Sequence, residues 1–218
     1  MSKIYRSAHD LLQKLPPVLS VRDLEHMAQT TSQTVASYVS RFLDRGLLKP
    51  VGPNGKVYFN LVVDRKADVN RREEAAFLLF PSAIVSSLTV LHDEGVITQI
   101  PSSLHVAVLS RRSYPKLDNI EVHPRPAGWF RKMRDGHVLL GHPSREDHPG
   151  RLPRLTPEAA FVDALKYGDG WISEPDDVDL ENLDWQKIDQ LAVLLRMDKK
   201  VLAPFREVFQ ETDEMGPR

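Results

Sequence analysis

The first sixty residues alternate between amphipathic stretches and short polar breaks. After Ser20, apolar residues recur three and four positions apart, which predicts a helix ending near Gln29. Ser20 is suited to cap this helix, with Asp23 near the positive end of the helix dipole. The inward stripe consists of Val21, Leu24, Met27 and Ala28. An earlier stripe of the same spacing, before Pro16-Pro17, predicts a scaffold helix; it consists of Ile4, Ala8, Leu11, Leu12 and Leu15.

A further helix is predicted to begin within Thr30-Thr31-Ser32 and to end at Gly46, which can adopt the left-handed conformation that ends helices. Thr30 with Gln33 would form a capping box, whereas Ser32 could cap alone, and the sequence does not choose between them. One face is apolar and comprises Val35, Val39, Phe42 and Leu43. The opposite face is polar and cationic and comprises Thr34, Ser37, Tyr38, Arg41 and Arg45.

Two short strands, at 47–51 and 56–60, are predicted to follow as a hairpin. Asn54-Gly55 accepts the positive φ angles of a tight hairpin turn, and Pro53 stiffens its entry. This order of helix, polar break, helix and hairpin is typical of a winged helix-turn-helix that reads double-stranded DNA. We therefore expect a DNA-binding domain at residues 1–66, with the reading part at 20–59.

Residues 67–218 are predicted to form a second, mixed α/β domain with a helical C-terminus, so that the fold class is α+β. Thr156-Pro157-Glu158 is a capped helix start with proline at the first helical position. Helices are expected near 71–79, 81–94, 157–166, 185–195 and 201–209. Strands are expected near 98–99, 104–109, 119–123 and 136–140, and residues 211–218 are expected to fray.

The formal net charge of −1 conceals an uneven distribution of charge. Residues 1–66 contain ten Lys/Arg and five Asp/Glu, a net charge of +5. Residues 111–154 contain the same numbers of each, again +5, whereas residues 176–218 carry six bases and eleven acids, a net charge of −5. The chain therefore has two basic regions and an acidic C-terminal region.

The composition indicates a cytoplasmic protein without a membrane span. The chain has no cysteine, which excludes disulfides and thiolate chemistry and suits a reducing compartment. Its first fifteen residues carry charges throughout, unlike a signal peptide. The longest uncharged run, 75–91, is interrupted by Pro81 and is interpreted as buried core.

The polar helix face and the hairpin supply the candidate DNA-binding residues. Base edges are expected to meet Thr34, Ser37, Tyr38 and Arg41, because arginine pairs bidentately with guanine and hydroxyls serve several bases or phosphates. Gln33, on the same helix, is a further candidate for DNA contact. Arg45, Lys49 and Lys56, at the helix end and on the hairpin, are expected to reach phosphates or a minor groove. The alternative is a polar face that meets water or another protein.

A second basic surface is expected around the aromatic residues Tyr114, Trp129 and Phe130. Its members are Arg111, Arg112, Lys116, Arg125, Arg131, Lys132 and Arg134. Cations mixed with aromatic rings suit a nucleic-acid surface. A solvated edge is the alternative, and the sequence does not separate DNA, RNA and protein as its partner.

No catalytic residue, metal site or cofactor is predicted. His142 and His148 flank Glu146 and Asp147, but each histidine precedes a proline and is interpreted as part of a stiff surface turn. The sequence contains no phosphate-binding GxxxxGK loop, no GxSxG and no GxGxxG. We therefore expect the protein not to be an enzyme.

Two segments of the second domain carry a family likeness. The stretch SSLTVLHDEGVITQIPSSLHVAVLSRR, residues 86–112, and LTPEAAFVDAL, residues 155–165, resemble the AbiEi family of bacterial antitoxins. The matching residues of the first segment are Leu88, Leu91, His92, Gly95, Gln99, Pro101, His105 and Val106. Those of the second are Thr156, Pro157, Glu158, Ala160, Val162, Asp163 and Leu165.

The resemblance implies a type IV toxin–antitoxin system, encoded beside a nucleotidyltransferase-like toxin and linked with phage defence. The winged helix of such an antitoxin regulates transcription by binding inverted repeats and repressing its own promoter. Its second domain counters the toxin, and the sequence does not show whether the two proteins touch. Two copies on inverted repeats could come from a stable dimer or from monomers that pair on DNA. The alternative is a stand-alone transcriptional regulator whose second domain senses a ligand or docks a protein.

Overall fold

A computed structural model describes residues 8–53, 55–135, 139–140, 151–168, 172 and 174–215. Within these ranges the chain has a mixed α/β fold with two separate β-sheets. The first sheet has three strands and the second has five. None of the helices in the described ranges has the length and apolar content that crossing a membrane requires.

The N-terminal part runs helix, strand, helix, helix, strand, strand. Its elements are α1 (Ala8–Leu12), β1 (Val18–Ser20), α2 (Val21–Ala28), α3 (Ser32–Asp44), β2 (Leu48–Pro50) and β3 (Val57–Asn60). Strand β3 is central and pairs antiparallel with both β1 and β2. The predicted hairpin strands are confirmed, whereas β1 was not predicted because three residues carry no readable alternation.

The ends of α2 and α3 differ in how they are capped. Ser20 and Asp23 form a reciprocal capping box at the start of α2, as predicted. Neither predicted cap of α3 is correct, because Thr31 occupies the N-cap position and its side chain makes no capping hydrogen bond. Gly46 has a φ of +63°, which confirms its role as the left-handed residue after α3.

The second sheet has the strand order β6-β5-β4-β8-β7 and mixes parallel with antiparallel pairs. Its strands are β4 (Ile84–Val85), β5 (Leu104–Leu109), β6 (Ile120–Arg125), β7 (Leu139–Leu140) and β8 (Arg154–Leu155). The helices around it are α4 (Ala67–Asn70), α5 (Arg72–Leu79), α6 (Ser87–Asp93), α7 (Ala127–Asp135), α8 (Pro157–Tyr167), α9 (Trp185–Leu195) and α10 (Lys199–Met215). Two short 3₁₀ helices, Pro175–Asp177 and Leu180–Asn182, precede α9.

Three sequence predictions for this part are wrong. The helix predicted over 81–94 is divided: Pro81 lies in a turn, β4 follows it, and α6 begins only at Ser87. Residues 98–99, predicted as a strand, are exposed and form no strand. Helix α7 was not predicted, and α10 continues to Met215 through the range expected to fray. The predicted cap of α8 is confirmed, since Thr156 accepts from Ala159 N–H.

The buried residues form two apolar clusters. The smaller cluster lies inside the N-terminal part and contains Leu11, Leu12, Leu15, Leu19, Leu24, Val35, Val39, Phe42, Leu48 and Tyr58. The larger cluster fills the second part, but it also contains Val18, Val57 and Phe59 from the first sheet and Val51 from the segment that follows β2. Hydrophobic packing therefore crosses the predicted domain boundary near Lys66.

Candidate nucleic-acid interface

Helix α3 turns one face inward and leaves the other to solvent. Val35, Val39 and Phe42 are buried against the smaller core, and Leu43 is half-buried. Of the candidate DNA-binding residues on α3, Gln33, Ser37 and Arg41 are exposed, and Thr34 and Tyr38 are half-buried. The structure thus places these five side chains on one side of α3, where Tyr38 also packs against the smaller core.

Local contacts hold the polar face of α3 in place. The Arg41 Nε–H donates to the Ser37 carbonyl at 3.2 Å, and the guanidinium lies 5.2 Å from the centre of the Tyr38 ring. Tyr38 itself stacks on Phe42, with ring centres 6.1 Å apart. A guanidinium over a tyrosine face gains cation–π attraction, so Arg41 starts from a partly ordered position.

Arg45 and Lys56 lie at the end of α3 and on the hairpin, as the sequence predicted. Arg45 is exposed at the C-cap of α3, and Lys56 is exposed at the start of the second hairpin strand. The Tyr58 hydroxyl donates to the Gly55 carbonyl at 2.5 Å, and Gly55 has a φ of +52°. The tip of the hairpin is therefore held by a side chain of its own strand.

Lys49 occupies a different environment from the one expected. Its ammonium contacts Asp68 Oδ2 at 2.6 Å and Asp118 Oδ2 at 2.5 Å. Hydrogen bonds to Asp118 and Asp68 raise the pKa of Lys49 above its ordinary value. The side chain that the sequence assigned to phosphate binding is thus engaged by two carboxylates of the protein.

The predicted second basic surface is divided between three environments. Arg111, Arg112 and Lys116 are exposed on the segment between β5 and β6, and Arg131 and Arg134 are exposed on α7. Lys132 donates to the Leu194 carbonyl at 2.5 Å, near the C-terminal end of α9. Arg125 is buried, which contradicts its assignment to a surface.

The aromatic residues assigned to that surface do not form a stacking platform. Trp129 and Phe130 are buried in the larger core, where their rings meet edge to face. Tyr114 packs its ring against the edge of Phe80 at 5.1 Å. The signal that sequence reasoning missed is the helical spacing of Trp129, Phe130 and Met133, the inward face of α7.

Arg125 and Asp163 form a buried ion pair between β6 and α8. Arg125 Nη2 lies 2.7 Å from Asp163 Oδ2, and Arg125 Nε lies 3.1 Å from Oδ1. The indole N–H of Trp129 donates to Asp163 Oδ1 at 2.6 Å, and the Tyr167 ring centre lies 3.9 Å from the guanidinium carbon. Every charge in this group is hydrogen-bonded, as burial requires.

Two histidines lie beside that ion pair on adjacent strands. His105 Nδ1 and His123 Nε2 are 2.9 Å apart, and the rings stack. The pKa of each histidine is lowered to about 4, mainly because both rings are buried. The next contribution to the lowered pKa comes from the His123 ring for His105 and from the Arg125 guanidinium for His123. Both rings are therefore neutral near pH 7, with one nitrogen donating to the other.

The described residues contain no cluster suited to a metal ion. His142, His148, Glu146 and Asp147 lie outside the described ranges. Asp93 forms a surface ion pair with Arg154 at 2.6 Å and lies 3.4 Å from His92 Nδ1.

The chain matches no known protein-family model and no curated protein. Among solved structures it is similar to the crystal structure of the RV2827C protein from Mycobacterium tuberculosis, with a TM-score of 0.52 and 12% sequence identity. The similarity covers 85% of this chain and 69% of that chain. At such low identity it shows a shared fold alone.

Proposed function

We propose that the N-terminal part is a winged helix-turn-helix that binds operator DNA, and that the protein is a transcriptional autorepressor and antitoxin. The observation that carries the DNA-binding proposal is the polar face of α3, where Ser37 and Arg41 are exposed and Tyr38 is half-buried. No cofactor or metal enters this proposal.

The topology of the N-terminal part supports the proposal. A strand before the two helices pairs with the second strand of a hairpin after them, giving the sheet order β1-β3-β2. In winged helix-turn-helix domains this arrangement leaves the second helix of the pair outward and the hairpin at its flank. The sharp turn between α2 and α3 includes Gln29 with a φ of +48°.

The dimensions of α3 fit a major groove. Its thirteen residues span roughly 20 Å, and a helix with side chains is about as wide as the groove of B-DNA. In this pose Arg41, Ser37 and Thr34 face base edges, while Arg45 and Lys56 approach phosphates. Two such helices on inverted repeats would place two copies of the chain about one or more helical turns apart.

The antitoxin part of the proposal rests on the resemblance to the AbiEi family. The two similar segments form α6 and β5 on one side and α8 on the other. These elements pack together, so the similar residues belong to one structural unit. On this proposal residues from 67 onward counter a nucleotidyltransferase-like toxin encoded by a neighbouring gene.

The salt dependence of DNA binding tests the proposed interface. Each phosphate contact contributes about −0.9 to the slope of log K against log salt concentration. We expect Arg41→Ala with Lys56→Ala to reduce the steepness of that slope by about 1 to 2 on a duplex taken from upstream of the gene. The matched control is Lys199→Ala with Lys200→Ala, two exposed lysines on α10. An unchanged slope in the first variant would remove Arg41 and Lys56 from the interface.

Co-expression with the neighbouring gene tests the antitoxin role. The parent chain is expected to restore growth to cells that express the toxin, and the Arg41→Ala/Lys56→Ala variant is expected to restore it equally while losing repression. Failure of the parent chain to restore growth would leave a stand-alone regulator, whose second domain responds to a ligand or protein.

A further inference from the structure

The β2–β3 hairpin is attached to the second part of the chain by an ion-pair triad. Lys49 on β2 lies between Asp68 of α4 and Asp118 of the segment that leads into β6. Its side chain keeps 38% of its surface exposed, and those of Asp68 and Asp118 keep 22% and 36%. The three charges sum to −1, and the cation reaches both carboxylates at once.

Backbone contacts beside the triad make the attachment specific. The Asp118 N–H donates to the Val51 carbonyl at 2.9 Å, and the Asn119 side-chain amide donates to the Asp68 carbonyl at 3.0 Å. Leu117 packs so closely that a Cβ on Gly52 would lie 2.3 Å from its Cδ2. The hairpin, the linker and the β5–β6 connection therefore meet at one point.

Lys49 and Lys56 belong to the same hairpin but differ in what they can do. For Lys49 to bind a phosphate, its ammonium would have to leave the two carboxylates that it contacts at 2.5 and 2.6 Å. Lys56 is exposed, and a phosphate contact there requires no such loss. Electrostatics therefore favours a cation that holds the hairpin over a cation that contacts DNA.

We propose that Lys49 is a positioning residue for DNA binding: it fixes the hairpin to the second part of the chain and does not contact DNA. The inference rests on the proposed DNA-binding function. Loss of the Lys49 charge loosens the hairpin near its turn, at Val51 and Gly52, and the hairpin then meets the duplex less often in the right orientation.

Amide hydrogen exchange on the full chain without DNA tests the attachment itself. Lys49→Met keeps the length of the side chain and removes its charge. We expect faster exchange at the Asp118 amide, which donates to Val51, in this variant and not in Lys56→Met. Adding Asp118→Asn to Lys49→Met should then change the amide exchange rates little further, because Lys49 and Asp118 act through one contact.

DNA binding by the same variants tests the consequence. On a labelled duplex from upstream of the gene, Lys49→Met is expected to weaken binding about tenfold at fixed salt with an unchanged salt slope. Lys56→Met is expected to make the slope shallower by about 0.9, as a lost phosphate contact does. A shallower slope for Lys49→Met would overturn the proposal, because it would place Lys49 on a phosphate.

The hydrogen-exchange and DNA-binding experiments separate the inference about Lys49 from the proposed function on which it rests. Unchanged exchange at Asp118 in Lys49→Met overturns the attachment, whatever the DNA result. If the parent chain binds neither the upstream duplex nor a random duplex of equal length, the proposed function fails, and the positioning role fails with it. Altered exchange in that case would still show that Lys49 holds the hairpin.

Discussion

The His105–His123 pair makes stability depend on pH in a defined direction. Both histidines have an ordinary pKa of 6.5 when unfolded and about 4 when folded, so the unfolded chain binds more protons between these values. Their contribution to the free energy of unfolding is complete above pH 6.5 and declines as pH falls toward 4. The decline amounts to at most about 1.4 kcal/mol per pH unit for each histidine.

Denaturant unfolding at several pH values between 7 and 4 checks this expectation. His105→Gln with His123→Gln should flatten the pH dependence relative to the parent, and His26→Gln, an exposed control, should not. Because carboxylates also titrate at the acid end, the quantity of interest is the difference between the variants. Equal pH dependence in the parent and the double variant would contradict the lowered pKa values.

At the scale of single residues, the buried ion pair of Arg125 could not be predicted from the local sequence. Arg125 stands between Pro124 and Pro126 in a basic stretch, which is the pattern of an exposed loop. Its partner Asp163 is 38 positions away, on the buried face of α8. An acid within the apolar run Ala160, Phe161, Val162, Ala164 indicated a buried partner, but nothing local identified which cation it was.

At the scale of elements, the N-terminal ends of α2 and α3 allow a comparison of two helix caps. Ser20 forms a capping box with Asp23, whereas Thr31 makes no capping hydrogen bond to its helix. Ser20→Ala is therefore expected to destabilise the protein by about 1 kcal/mol, and Thr31→Ala by less than about 0.5 kcal/mol. Chemical denaturation of both variants measures the difference. Equal losses of unfolding free energy in the two variants would show that the capping hydrogen bonds of Ser20 do not stabilise the protein.

The elements that sequence reasoning found are those whose causes are local. Helices α2, α3 and α8 have periodic apolar faces and recognisable ends, and the hairpin has its turn residues. Strands β1 and β4 have three and two residues, and they exist because distant strands pair with them. The polar face of α3 was predicted for the same local reason, whereas the contact of Lys49 with Asp118 spans 69 positions and was not.

At the scale of the whole molecule, the larger core joins both parts of the chain. Phe59 and Val57 of the first sheet pack in the same cluster as Val106 and Leu91 of the second part. An isolated segment 1–66 would expose Phe59, Val57, Val51 and Val18, whose burial contributes roughly 1.5 to 3 kcal/mol each. The lysine triad adds a polar attachment at the same boundary. These contacts favour unfolding of the two parts as one cooperative unit.

Leu24→Ala tests this cooperativity, because Leu24 is fully buried in the smaller core and all three tryptophans lie beyond residue 128. The substitution is expected to cost about 2 to 5 kcal/mol. If the parts unfold together, tryptophan fluorescence should report a lower denaturant midpoint in Leu24→Ala, as it does in a control variant of the larger core, Leu91→Ala. An unchanged tryptophan midpoint in Leu24→Ala alone would show that the parts unfold separately, because the lost free energy would then be confined to the N-terminal core.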